Sequence, residues 1–284
     1  MTPISSKTAI LLVDCPDQKG LVAAIANFLL SQNANIMHAD QHQDNELGLF
    51  FMRIEFLLDE GRFDEAGFAK VAEPLGMHWQ IAYANERPKV ALFVSQYLHC
   101  MADLLQRHQS GELRCEISLV IGNHEDARAL AGFYGIPFHL IEVTKENKAE
   151  AEAQQIELLE SHGVELIVLA RYMQILSADF CKRYPRRVIN VHHSFLPAFV
   201  GARPHQAAFA RGVKLIGSTS HYVTEVLDNG PIIEQDVARI SHTDELHDLV
   251  QKGRDLEQLV LSRAVRWHLE RRILTYANKT VIFN

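Results

Sequence analysis

Two polar residues at the end of one apolar run, and a third in a later turn, together offer a hydrogen-bond donor, a proton shuttle and a base. Asn190 and His192 end the run RVINVH and stand two residues apart, so on a strand they share a face. Asp228 lies in VLDNGPII, whose Asp-Asn-Gly sequence is typical of a turn. An amide donor and an imidazole can stabilise an oxyanion and transfer a proton, and a carboxylate can act as base or orient the imidazole. Each feature alone also fits an ordinary strand end or hairpin, but together they predict a catalytic trio without a covalent intermediate.

A metal site is the weaker alternative for the same region. His192, His193, His221 and Asp228 are residue types that bind zinc. Adjacent histidines on a strand face opposite ways, and the spacings typical of paired histidine ligands do not occur in this region. We therefore predict that the site holds no metal.

The predicted elements place this trio at the edge of a parallel sheet. From residue 90 onward, continuous apolar strands alternate with helices, which indicates a doubly wound, mostly parallel Rossmann-like α/β domain. Two later β-rich runs, VKLIGSTSHYV and PIIEQDVARI, are expected at the outer side of the sheet and antiparallel. Ligands of such sheets bind outside the carboxyl ends of the strands, where Asn190 and His192 stand.

The N-terminal part follows a different pattern. Residues 1–84 predict a βαββαβ order, the ferredoxin-like arrangement, and the polar stretch 85–89 (NERPK) predicts a linker before a domain at 90–284. The net charge of −7 argues against a nucleic-acid partner. Four scattered cysteines fit a reducing compartment, and the chain lacks a basic leader or an apolar run long enough for a bilayer. We expect a cytoplasmic protein with no membrane partner.

Several long motifs resemble known families. The stretch 190–236, from NVHHSFLPAF to DNGPIIEQD, resembles the core of folate-dependent formyltransferases, and LARYMQILS (169–177) resembles the segment that lines their folate pocket. The double histidine, NHED at 123–126 and GIPFHLI at 135–141 resemble one branch, the formyltetrahydrofolate deformylases. DCPDQKGLVAAIANFL (14–29) resembles the first half of an ACT domain, which that branch carries at its N-terminus.

The resemblance implies an enzyme that hydrolyses 10-formyltetrahydrofolate to tetrahydrofolate and formate, which balances the folate pools that purine biosynthesis uses. It implies that Asn190, His192 and Asp228 are catalytic and that no cofactor takes part, since the folate is the substrate. The folate would contact residues of 173–176, namely Met173, Gln174, Ile175 and Leu176. Gln174 stands where the related transferase has an arginine, and nearby Arg171 is a candidate replacement for its charge.

The ACT resemblance implies regulation. A turn from Asp17 to Gly20 would bind an amino-acid effector through its backbone N–H groups, and paired ACT domains imply a homo-oligomer. The effector itself is not indicated.

Two other functions stay open at this point. The first is a formyltransferase acting on glycinamide ribonucleotide, and the second is an inactive sensor of folate or amino acids. The related transferase holds its acceptor's phosphate with a glycine-rich loop, whereas the matching stretch Val94–Cys100 has Gln96 and Leu98 in place of the glycines. Side chains would then occupy the phosphate position, which favours water as the acceptor.

Overall fold

The computed structural model describes residues 7–59, 61–198 and 204–283, which divide into two compact units. The first unit takes in the chain up to Glu86 together with Glu270–Tyr276 and the residues from Thr280 onward. The second takes in Arg87–Leu269 and Ala277–Lys279.

Helices and strands follow one another in two series. The first series is β1 (Lys7–Pro16), α1 (Leu21–Ser31), β2 (Ala34–Asp44), β3 (Leu49–Leu58), α2 (Glu65–Ala72) and β4 (His78–Tyr83). The second opens with β5 (Lys89–Val94), α3 (His99–Gln109), β6 (Glu116–Gly122), α4 (Arg128–Phe133), β7 (Phe138–Leu140), α5 (Lys148–Ser161) and β8 (Leu166–Ala170). It continues with α6 (Ala178–Arg183), β9 (Val188–His192), α7 (Pro204–Arg211), β10 (Leu215–Tyr222), β11 (Ile232–Arg239) and α8 (Leu246–Leu269). A short hairpin of β12 (Ile273–Tyr276) and β13 (Lys279–Ile282) ends the described chain.

The first unit has the predicted βαββαβ order. Its sheet runs β2-β3-β1-β4, and the pairs of β1 with β3 and β4 and of β2 with β3 are antiparallel. Helix α1 buries Leu21, Ile25 and Leu29, which lie one turn apart and pack into the core of this unit. The ferredoxin-like arrangement expected from the sequence is confirmed.

The end of the chain returns to the first unit. Leu274, Val281 and Phe283 pack with Leu12 and Phe51 in a small apolar cluster. Leu12 alternates along β1 with the residues of the main core, so this cluster covers the second face of the sheet. The sequence pattern predicted that all residues after 89 belong to the second domain, whereas the structure places this hairpin largely in the first unit. The reason is that both faces of the first sheet are apolar, so each face must pack against other residues.

The second unit is built on a seven-stranded sheet with the order β11-β10-β9-β8-β5-β6-β7. The five strands from β9 to β7 are parallel, and β10 pairs antiparallel with both β9 and β11. Strand β8 and residues 90–94 of β5 are completely buried, as expected for strands covered on both faces. The mostly parallel sheet with antiparallel outer strands is confirmed.

This topology brings the ends of three central strands together. Strands β9, β8 and β5 are neighbours and run the same way, so the loops after His192, Ala170 and Val94 leave the sheet side by side. Within the described residues, no helix combines the length and apolar character that crossing a bilayer requires.

Candidate active site

The predicted trio comes together at the end of β9. Nδ1 of His192 lies 3.2 Å from Oδ2 of Asp228, and both side chains are nearly buried. Asn190 joins them through His221, whose Nε2 lies 3.3 Å from the Asn190 amide nitrogen and 3.7 Å from Oδ1 of Asp228. The four side chains form one connected polar group at this end of the sheet.

A tight loop carries Asp228 back to the sheet. Asp228 has φ 53°, a left-handed conformation that Asp tolerates better than most residues. Two residues later, a Cβ on Gly230 would stand 1.7 Å from the carbonyl oxygen of Tyr222, so only glycine fits. Tyr222 donates its N–H to the Pro231 carbonyl at 2.9 Å and closes the loop. The Asp-Asn-Gly sequence therefore serves to return the carboxylate to His192.

The hydrogen bond from His192 holds the pKa of the Asp228 carboxyl well below its usual range, with a smaller contribution from the nearby His221, although burial acts in the opposite direction. Asp228 is therefore an anion that orients His192 through Nδ1. Nε2 of His192 is buried and has no hydrogen-bond partner among the described residues. That nitrogen is the one left to meet a substrate.

His221 is a member of the site whose role the sequence left open. Its Nδ1 lies 2.9 Å from the Tyr222 carbonyl, which can only accept, so Nδ1 carries a hydrogen. In the neutral ring Nε2 is then an acceptor, and it takes a hydrogen from Asn190 Nδ2. The feature of the sequence that could have indicated this role is the polar run Ser218–His221 within the predicted strand. In the structure this run of β10 is completely buried.

The loop after His192 is fixed by hydrogen bonds from the outer strands. Thr219 Oγ1 donates to the Ser194 carbonyl at 2.9 Å and accepts from the Leu196 N–H at 3.0 Å. The Gln235 amide donates to the Leu196 carbonyl at 3.0 Å. Residues 194–196 thereby keep a defined path beside the trio.

The predicted folate-binding residues follow the neighbouring strand β8. Met173 and Ile175 are 51% and 59% exposed, although they are large and apolar, and Gln174 and Leu176 are half-buried. Exposed apolar side chains next to a polar cluster offer a surface for a flat aromatic ligand, whereas plain core packing would have buried them. The loop ends where Ser177 donates its N–H to the buried Glu152 carboxylate at 2.8 Å.

A second polar group lies at the ends of β5 and β8, and we call His99, Arg171 and Glu257 the strand-end cluster. Oε2 of Glu257 lies 2.7 Å from Nε2 of His99 and 3.4 Å from Nε of Arg171. Burial opposes the charge of Glu257, but His99 and Arg171 together lower the pKa of that carboxyl. The Arg171 guanidinium, which the sequence offered as a partner for the folate tail, is thus directed to Glu257.

Two members of the strand-end cluster also belong to the one group of metal-type ligands among the described residues. Cys100 joins His99 and Glu257, and the ligand atoms lie within 4.8 Å of one another. Burial raises the pKa of the Cys100 thiol well above its usual value, and metal binding needs the thiolate. Arg171 already supplies the positive charge that Glu257 requires, so the chemistry of this donor set disfavours a cation.

The predicted regulatory residues lie in the first unit, on a cavity of about 450 Å³. Asp17 and Gly20 both line it, with Gln43 and His42 from β2. Gly20 has φ 94° and precedes the first turn of α1, so the unpaired N–H groups of that turn lie near the cavity. Asp17 accepts a hydrogen bond from the Gln43 amide.

Two family models match the chain. The Formyl transferase model matches residues 88–265, and the ACT domain model matches residues 9–65. The formyl transferase match contains the three residues of the predicted trio, and the ACT match contains Asp17 and Gly20.

Relatives match nearly the whole chain. A formyltetrahydrofolate deformylase of Synechocystis sp. is 52% identical over 280 residues, which cover 97% of this chain and 98% of that one. The crystal structure of a formyltetrahydrofolate deformylase from Pseudomonas syringae pv. tomato superposes with a TM-score of 0.94 at 48% identity, covering 98% of this chain and 95% of that one. The structure of glycinamide ribonucleotide transformylase 1 from Symbiobacterium toebii is more distant, with a TM-score of 0.66 at 26% identity, covering 71% of this chain and 97% of that one. The two domains, their order and the identity over the full length together establish that the chain belongs to the formyltetrahydrofolate deformylase family.

Proposed function

We propose that this protein hydrolyses 10-formyltetrahydrofolate to tetrahydrofolate and formate. The observation that carries the proposal is the buried pair of His192 and Asp228, which His221 connects to the amide of Asn190. Among the described residues, Nε2 of His192 has no hydrogen-bond partner. These groups supply donors for an oxyanion and a base for water, which are the requirements of amide hydrolysis. The products change the balance between formylated and free folate, on which purine biosynthesis draws.

The reaction begins when water attacks the formyl carbon. As the water attacks, Nε2 of His192 takes one of its protons. The carbonyl oxygen gains negative charge, and the Asn190 amide and the imidazolium so formed donate to it. The loss of one such donor typically costs roughly 3–4 kcal/mol of barrier. Asp228 stays ionised and stabilises the imidazolium through Nδ1.

Collapse of the tetrahedral intermediate completes the change. The bond between the formyl carbon and N10 breaks, N10 takes up the proton that His192 took from water, and formic acid leaves and loses its own proton. One water is consumed for each formate released. The side chains named above supply every charge and hydrogen-bond donor that these reaction steps need. We propose that no metal or cofactor takes part.

Formyl transfer to an amine is the second candidate function, and the loop after β5 argues against it. The stretch Val94–Cys100 has no glycine, so its backbone N–H groups are shielded from a phosphate by side chains. His99, which opens α3, is engaged with Glu257.

An assay of formate separates the candidates. Purified protein is incubated with 10-formyltetrahydrofolate alone and with glycinamide ribonucleotide added. Hydrolysis predicts formate at the same rate in both reactions. Formate or formylated product that appears only with the amine would show a transferase, and binding without turnover would show a sensor.

We further propose that the ACT domain binds an amino acid at the cavity of Asp17 and Gly20. The N–H groups at the start of α1 suit a carboxylate, and the Asp17 carboxylate suits an ammonium group. Self-association is supported by the edge strand β2, whose exposed residues include the apolar Ile36 and Met37.

These two proposals have direct tests. The melting temperature of the protein is measured with each of the common amino acids, and an effector should raise it for the wild type but not for Asp17→Ala. Light scattering gives the molar mass in solution, and a mass near 32.2 kDa would exclude the oligomer.

A further inference from the structure

The strand-end cluster lies beside the catalytic trio but takes no part in the proposed chemistry. Arg171 is the first residue after β8, and β8 lies between β9, which ends at His192, and β5. His99 follows β5 by five residues. The charge of His193, the neighbour of His192, also acts on the Glu257 carboxyl. The cluster and the trio therefore share one edge of the sheet.

The strand-end cluster is closed and held from several sides. The side chain of Glu257 is 2% exposed, that of Arg171 11% and that of His99 16%. The Arg171 guanidinium lies 5.5 Å from the ring of Tyr97, which Arg254 approaches to 5.9 Å. Gln258 of α8 donates to the His99 carbonyl at 3.1 Å. The loops after β5 and β8 are thus joined to α8.

Arg171 keeps a backbone conformation that glycine would adopt more easily. Arg171 has φ 64°, a conformation that glycine adopts freely and that costs other residues energy. Strained residues of this kind persist where the surrounding structure uses them. With glycine at this position, the space next to Glu257 and His99 would be open.

We propose that the strand-end cluster blocks the acceptor side of the active site, so that water is the only nucleophile that reaches the formyl carbon. The inference rests on the proposed function and deepens it by naming the residues that decide the acceptor. Ligands of this fold bind outside the carboxyl ends of the strands. The trio occupies the end of β9 and the predicted folate segment follows β8, so an acceptor would have to enter over the end of β5. There the side chains of His99 and Arg171, both paired with Glu257, would stand in its way.

The test opens the cluster without leaving a lone buried charge. The double variant Arg171→Gly/Glu257→Gln removes both charges together, because an unpaired buried carboxylate would destabilise the fold. Glycine also suits the backbone at this position. Substrate labelled in the formyl group is supplied with water alone, with glycinamide, or with glycinamide ribonucleotide, and labelled formate and labelled formyl-amine are measured. In the transfer reaction the amine nitrogen attacks the formyl carbon, the bond to N10 breaks, and the proton lost by the amine ends on N10.

We expect the wild type to yield formate only. The double variant should release formate and also formylate at least one amine, with a formyl-amine signal about ten-fold or more above the background measured with the wild type. Arg171→Lys keeps a long cationic side chain and should form no formyl-amine. Arg128→Ala removes an arginine from an exposed ion pair with Glu125 in the same unit and should behave as the wild type.

The outcomes separate the two claims. A wild type that forms no product without an amine would overturn the proposed function and this inference with it. A wild type that hydrolyses, with a folded double variant that hydrolyses but neither formylates an amine nor is inhibited by one, would overturn this inference alone. If the double variant does not fold, His99→Ser is assayed in the same way. Formylation of an amine by this variant would support the inference, and hydrolysis with neither formylation nor inhibition by an amine would overturn it.

Discussion

The amide nitrogen of Asn190 lies 3.3 Å from Nε2 of His221, and the other nitrogen of that ring is held by the Tyr222 carbonyl. His221 thus fixes which way the Asn190 amide points, and it does so from the neighbouring strand β10 through the directly paired position. A donor that is oriented before the substrate arrives needs no reorganisation when charge develops on the formyl oxygen.

Replacement of His221 should therefore slow the chemical step more than it weakens binding. We expect His221→Ala to lower kcat roughly 10- to 100-fold with little change in KM, because the amide loses its orientation and the substrate loses no direct contact. His221→Gln retains an acceptor for Asn190 and should recover part of the rate. If His221→Ala and His221→Gln changed KM equally and left kcat unaltered, the role of His221 in orienting Asn190 would be contradicted.

The low pKa of Asp228 predicts how stability depends on pH. The pKa in the folded protein lies below the ordinary value of 3.8, so the ionised carboxylate stabilises the fold above that pH. This contribution is lost as the pH falls through the folded-state pKa. We expect Asp228→Asn to be less stable than the wild type near neutral pH, and the difference to shrink as the pH falls below about 4. Urea unfolding over a series of pH values measures it, and a difference that grows in acid would show the opposite sign.

The close approach at Gly230 predicts a sharp steric effect. Gly230→Ala places a Cβ 1.7 Å from the Tyr222 carbonyl oxygen, so the loop that carries Asp228 must move. We expect a loss of stability of about 1–3 kcal/mol and a large loss of activity. Gly132→Ala is the matched control, since its Cβ meets nothing within 4 Å and its helix should gain slightly from alanine. Similar activity of the two variants would show that the Asp228 loop is not held by this contact.

The exposed apolar residues after β8 predict a binding effect separate from chemistry. Ile175→Ser should raise KM for 10-formyltetrahydrofolate by roughly ten-fold and leave kcat almost unchanged, because contact with the flat ring is lost equally in the ground and transition states. The fold should be unaffected, since Ile175 is 59% exposed. The exposed apolar Leu30, in α1 of the other unit, provides the control as Leu30→Ser, and an equal rise in KM there would remove the argument for a folate surface.

Local periodicity was enough to predict the elements around the trio. The run RVINVH alternates as a strand, so Asn190 and His192 had to share a face, and the Asp-Asn-Gly turn indicated a return of the chain. The distance from His192 to Asp228 could not follow from periodicity, because it depends on the whole loop between β10 and β11. The motif resemblance supplied that pairing before the geometry did.

The strand-end cluster shows what the sequence analysis missed. Glu257 lies in the apolar stripe of α8, between Leu256 and Val260, and a carboxylate in such a stripe indicates a buried partner. Its partners His99 and Arg171 are 158 and 86 positions away by their numbering, so spacing alone could not connect them. The return of the C-terminal hairpin to the first unit was missed for a similar reason, since it depends on packing between distant residues.

The origin of the oxygen in formate tests the central claim most directly. Protein and 10-formyltetrahydrofolate are mixed in water enriched in heavy oxygen, with no amine present, and the formate of a single turnover is analysed by mass spectrometry. Attack by water predicts one heavy oxygen in each formate, at a rate that Asp228→Asn reduces by roughly a thousand-fold or more. Formate without heavy oxygen, or the same rate in the variant, would contradict hydrolysis by this trio.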